Sequence, residues 1–129
     1  MNNLLRILIP IILLSYSIQS LAHHSWRAVY GDGEEVELIA TVTSEPQRRP
    51  HWNVTVELTN QEGEAEEWNL QWRNRRGENR EEDQILAVLR TGEDFEVIGQ
   101  KSHLPNNNQI LIREITRLSD GMTAVSNRD

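Results

Sequence analysis

The chain has 129 residues, 20 acidic against 13 basic side chains for a formal charge of −7, and no cysteine. This length suits one domain with a modest core, and the missing thiols exclude a disulfide framework, thiolate metal sites and cysteine nucleophiles. The acidity argues against nucleic acid as a partner, because phosphate neutralisation supplies most of that affinity, and against anionic membrane surfaces.

Residues 1–22 read as a secretory signal. Asn2, Asn3 and Arg6 open it, an apolar run follows from Ile7 to about Leu14, and Ser20-Leu21-Ala22 places small residues where a signal peptidase cuts. The run is short for a membrane span of about 20 residues, so a cleaved leader and a periplasmic product without a stable span are expected. Cleavage removes Arg6 and makes the product one charge more acidic.

The mature chain then starts at His23. Residues 23–35, with Trp26, Val29 and Tyr30, read as an irregular arm ending in Gly31-Asp32-Gly33, with Trp26 tucked against the domain. From Glu35 to Ser44 the apolar residues Val36, Leu38, Ala40 and Val42 alternate with polar ones, as in a strand. Pro46 and Pro50 bracket a loop. His51 to Leu58 is a second strand, with Trp52, Val54, Val56 and Leu58 on one face and His51, Asn53, Thr55 and Glu57 on the other. A turn leads to a third strand over 64–73, with Trp68, Leu70 and Trp72 inward and Asn69, Gln71 and Arg73 outward.

The period then changes. Asn79 and Glu82 form a capping box, and Ile85, Leu86, Val88 and Leu89 make the apolar stripe of a short helix that stops near Gly92. Glu93 to Lys101 is a fourth strand and Gln109 to Leu118 a fifth. Ile115 is out of phase with Ile110 and Ile112, which predicts a β-bulge between Ile112 and Ile115. Residues 122–129 are expected to fray. Three strands, one helix and two strands fit a five-stranded, OB-like antiparallel barrel over 23–121; a plain sheet covered by one helix is the alternative.

Ala22-His23-His24-Ser25-Trp26, Leu38 to Thr43, Pro50-His51, Trp68 and Thr91 to Gly99, taken in that order, resemble a family of small exported bacterial proteins of unknown function. Its members tend to begin Ala-His-His-Ser-Phe, to carry Asn-Pro-His between the first two strands, and to have a Gly-Asp-x-Val-x-Val-x-Gly strand. This chain departs at Trp26, at Arg49 and in its longer acidic helix segment. The resemblance implies a periplasmic, OB-like domain and no particular activity.

Two ligand chemistries follow from the residues. A terminal His23 presents an α-amine and an imidazole together, both neutral near pH 7, and such nitrogen donors suit Cu(II) or another divalent metal. His24, His51 and His103 could complete the set, because the arm is long enough to fold back along the first strand. Alternatively, Arg49, Asn53, Asn69, Gln71 and Arg73, with Arg48, Arg75 and Arg76 nearby, form an arginine-and-amide face for a small anionic or glycan ligand. Docking on a larger periplasmic protein is a third reading. No catalytic constellation is visible, since Ser25 beside His24 lacks triad geometry. The sequence thus predicts an exported binding or accessory protein that is not itself an enzyme.

Overall fold

The computed structural model of the chain describes residues 25–48, 51–73 and 79–126. The segment 1–22 expected to be a leader, His23, His24, Arg49, Pro50, Arg75 and Arg76 lie outside the described residues, as do the side chains of the expected capping box. The elements are α1 (Trp26–Tyr30), β1 (Glu35–Val42), β2 (Gln47–Arg48), β3 (Trp52–Thr59), β4 (Ala65–Gln71), α2 (Asn79–Val88), β5 (Asp94–Lys101), β6 (Gln109–Arg117) and β7 (Thr123–Val125).

The strands run β1-β5-β6-β4-β3 around a barrel, which β1 closes by pairing Thr41 with Glu57 and Val42 with Val56 of β3. All pairings are antiparallel except β4 with β6, where only three register positions, Asn69 with Gln109 to Gln71 with Leu111, join the strands. Period-two alternation decides the interior. Val54, Val56, Leu70, Phe95, Val97, Ile110 and Ile115 are fully buried, and Ile85, Val88 and Leu89 bring α2 into the same core. Each such side chain contributes about 1.5–3 kcal/mol of burial, which is what holds a ten-residue helix too short to persist alone.

The bulge lies where the phase break places it. Gly99 faces Ile112 while Ile98 faces Glu114, so Arg113 is the extra residue and Ile115 returns to the interior. Gly99 is required there: a Cβ would meet the Leu111 carbonyl oxygen at 2.4 Å.

Two expectations are corrected. The arm is not irregular throughout, because Trp26–Tyr30 forms a helical turn, so the domain has two short helices rather than one. Ser25 caps it, its hydroxyl accepting from the Ala28 N–H at 3.2 Å. The segment expected to fray contains β7, which pairs with β6 across a turn holding Asp120 and Gly121 and buries Ala124 in the core. Arg117 ties this corner together. It is 1% exposed, donates to the Val88 carbonyl at the end of α2 (2.7 Å), and pairs with Asp120 at 2.6 Å.

Candidate functional site: the outward face of β3, β4 and β6

The residues that alternate with the core on β3 and β4 form one polar face. Asn53 lies opposite Gln71, Thr55 opposite Asn69, and Glu57 opposite Glu67, while Gln109 of β6 adjoins Asn69. The expected amide row is therefore real, and Asn53, Asn69 and Gln71 are brought together. It is also largely paired within the protein. Asn53 Nδ2 donates to the His51 carbonyl at 2.9 Å, and Asn69 Nδ2 donates to Asn53 Oδ1 at 3.2 Å.

Gln71 is engaged by α1. The Tyr30 hydroxyl donates to Gln71 Oε1 at 2.9 Å and lies 3.4 Å from Gln109 Oε1. Tyr30 is 2% exposed although it stands outside the barrel core, and burial raises its hydroxyl pKa well above the ordinary tyrosine value. Leu111 behaves alike. It sits between the inward Ile110 and Ile112, so it points outward, yet it is buried. The register sets Leu111 beside Gln71, which Tyr30 of α1 engages.

The N-terminal end of α1 reaches the loop before β3. The Trp26 and His51 rings lie 4.5 Å apart, and the Arg73 guanidinium lies 6.0 Å from the Trp26 ring. On the opposite, core-facing side of the sheet, Arg48 of β2 lies 5.8 Å from the Trp52 ring, which stacks on Trp72 at 6.1 Å. This end of the face is cationic and aromatic, whereas Glu57 and Glu67 make the far end acidic.

The described histidines both serve α1. His51 packs on Trp26, and His103 Nε2 lies 2.8 Å from the Ala28 carbonyl while its backbone N–H donates to the Val29 carbonyl at 3.1 Å. The two thus contact one segment. Among the described residues no group of three or more His, Asp or Glu is placed to hold a metal ion. His23 and His24, the heart of that reading, lie outside them, as does Arg49.

No family model and no curated protein matches the chain. Two crystal structures of Rim1, a mitochondrial single-stranded DNA binding protein from S. cerevisiae, are similar to it. One is 14% identical over 76% of this chain and 100% of that one, with a TM-score of 0.52. The other is 12% identical over 67% and 96%, with a TM-score of 0.50. The barrel is an OB fold.

In OB folds the second and third barrel strands, with the loops between strands one and two and between strands four and five, make the ligand face. Here those strands are β3 and β4, and the loops carry His51 and His103. The likeness also overturns the exclusion of nucleic acid drawn from acidity, because OB-fold neighbours include single-stranded DNA binders. Net charge averages over the whole surface, whereas a ligand meets the local field. Here Arg73 stands at one end of the face, while Glu37, Asp94, Glu96 and Glu114 lie on β1, β5 and β6.

The residue that sequence reasoning missed is Tyr30. Its signal was present: Ser25 as a cap, and Trp26 and Tyr30 four residues apart, their rings stacked at 5.9 Å.

Proposed function

We propose that this protein is an OB-type binding module for a compact phosphate-bearing ligand with a flat ring, a nucleotide or the end of a short single strand of nucleic acid. The observation that carries this reading is the Trp26, His51 and Arg73 cluster at the cationic end of the OB ligand face. Aromatic rings stack bases at about 1–3 kcal/mol each, and arginine supplies a fork for phosphate. The fold's likeness to Rim1 supports the ligand class. The acidic Glu57 and Glu67 pair favours a short ligand over a long strand crossing the face. The module acts outside the cytoplasm, a placement that rests on the Ser20-Leu21-Ala22 cleavage site.

The test is fluorescence titration with thymidine monophosphate and short oligothymidylates at two salt concentrations, with a sulfated oligosaccharide as the non-nucleotide anion. Salt-dependent binding that falls at least tenfold in Arg73→Ala and in Trp26→Ala supports the reading. Equal binding of the sulfated sugar would make the site a general anion or glycan site, and no binding of any probe would remove the reading.

A copper site is the second reading, favoured by the ring contact that puts His51 beside Trp26, three residues after His23. One equivalent of Cu(II) with a nitrogen-rich paramagnetic spectrum, lost when a residue is added before His23, supports it. Affinity no greater than that of an unrelated free amino terminus removes it.

A further inference from the structure

One end of the OB ligand face is not open, because the chain lies on it. α1 rests over the end where β4 finishes and β6 begins, and its contacts reach both flanking loops. Tyr30 takes the amides of Gln71 and Gln109, Trp26 meets His51 at the loop before β3, and Ala28 and Val29 take the ring and backbone N–H of His103 in the loop before β6. One five-residue turn therefore touches both ligand loops and covers Gln71 and Gln109, the last residue of β4 and the first of β6. Tyr30 is buried there, outside the apolar core cluster.

The turn is held lightly for its position. It is one helical turn, unable to persist undocked, and only Tyr30 within it is buried. The connection to β1 is four residues, Gly31 to Glu34, pinned where Gln100 Nε2 donates to the Gly33 carbonyl at 3.1 Å. So short a tether keeps α1 at high effective concentration over the groove, whereas few contacts make its local opening cheap compared with unfolding the barrel.

We propose that α1 is a built-in competitor for the OB face: docked, it presents its own Trp26 beside His51 and Arg73 to a compact ligand, and it must lift before a longer strand can reach Gln71 and Gln109. This rests on the binding reading above and adds a length limit to it. If a long ligand binds only the lifted state, its apparent affinity scales with the fraction lifted, and any change that loosens α1 strengthens long ligands without helping short ones.

The experiment uses the whole mature protein and two variants that loosen α1 at Tyr30 and at Ala28 and keep the rings of Trp26, His51 and Tyr30 and the Arg73 side chain. Tyr30→Phe removes the hydroxyl and keeps the ring, and His103→Ala removes the ring contact to Ala28. Thermal melts confirm the barrel in each. Hydrogen exchange of the α1 amides reports its opening. Titrations use thymidine monophosphate and an oligothymidylate of about 12 nucleotides, within the span of one OB fold. Losing one or two net hydrogen bonds should raise exchange in α1 about tenfold and strengthen the long probe by about the same factor, with the monophosphate changed less than twofold. Faster exchange with an unchanged or weaker long probe would overturn the competitor and leave the compact site standing. Unchanged exchange in both variants would also overturn it, since these contacts would not be what holds α1. No binding of either probe by any of the three proteins would instead sink the binding reading, and the length limit with it.

Discussion

Replacing Gly99 by alanine tests the bulge on which the barrel closes. Backbone propensity alone predicts a gain, because glycine inside a strand is worse than alanine by roughly 0.5–1 kcal/mol. The structure reverses the sign. An alanine Cβ would stand 2.4 Å from the Leu111 carbonyl oxygen and 2.8 Å from Ile110 Cγ2. The first atom is backbone, so relief requires β6 to move away from β5 at the point where it also pairs with β4. Overpacking of this kind costs about 1–3 kcal/mol, and each ladder hydrogen bond lost adds about 1 kcal/mol. After subtracting the propensity gain, a loss of about 1–3 kcal/mol remains, a large share of the roughly 5–15 kcal/mol that stabilises a domain. Tm should fall by about 5–20 °C, at about 4–8 °C per kcal/mol for a domain near 100 residues. Urea denaturation should show a lower midpoint with an unchanged slope, while Glu96→Ala, outward on the same strand, should stay within about 0.5 kcal/mol of the parent. A Gly99→Ala protein as stable as the parent would refute the close approach and the bulge geometry built on it.

Three further outcomes follow from the same packing. Burial raises the Tyr30 pKa, so its contribution is complete below tyrosine's ordinary value of about 10 and declines as pH rises beyond it; denaturation curves from pH 9 to 11 should show the parent losing stability that Tyr30→Phe does not lose. Asp120 is held at about 2 by its hydrogen bonds from Arg117 and the Met122 N–H, so its stabilisation is present above about 4 and lost as pH falls toward about 2. A carboxyl titration followed by NMR should place it there, and Asp120→Asn should flatten the acid limb. Truncation after Asp120 removes β7 and the buried Ala124 and should lower Tm by several degrees; a truncated protein that melts with the parent would show that β7 contributes nothing.

The candidate site was legible in part. Alternation is local, so the sequence placed Asn53, Asn69 and Gln71 on one face, and the pairing of β3 with β4 confirms it. It also placed His51 and His103 on the two loops flanking that face. What those groups touch was not legible. Asn53 and Asn69 bond each other, Gln71 holds Tyr30, and both histidines hold α1, contacts between residues up to 75 positions apart. The weight given to net acidity also misled, because a total charge carries no information on where Arg73 stands relative to the glutamates.

The sequence by itself determined the elements of the barrel and left its closure open against a plain sheet. Its period-two runs, the change of period at the helix, and the break between Ile112 and Ile115 are set by side-chain direction along a single element, so the main strands, their inward faces and the bulge followed, whereas the closure of β1 on β3 and the parallel pairing of β4 with β6 needed the assembled fold. Only the tertiary structure decided the fate of the two ends. A five-residue turn and a three-residue strand are too short to be stable or to show a period. Trp26–Tyr30 and Thr123–Val125 take form because a finished surface receives them: the amides of Gln71 and Gln109 and the rings of His51 and His103 for one, the edge of β6 and the α2 side of the core for the other. That surface exists only after residues distant in sequence have met, which is why the turn that covers the ligand face could not be read from the residues that form it.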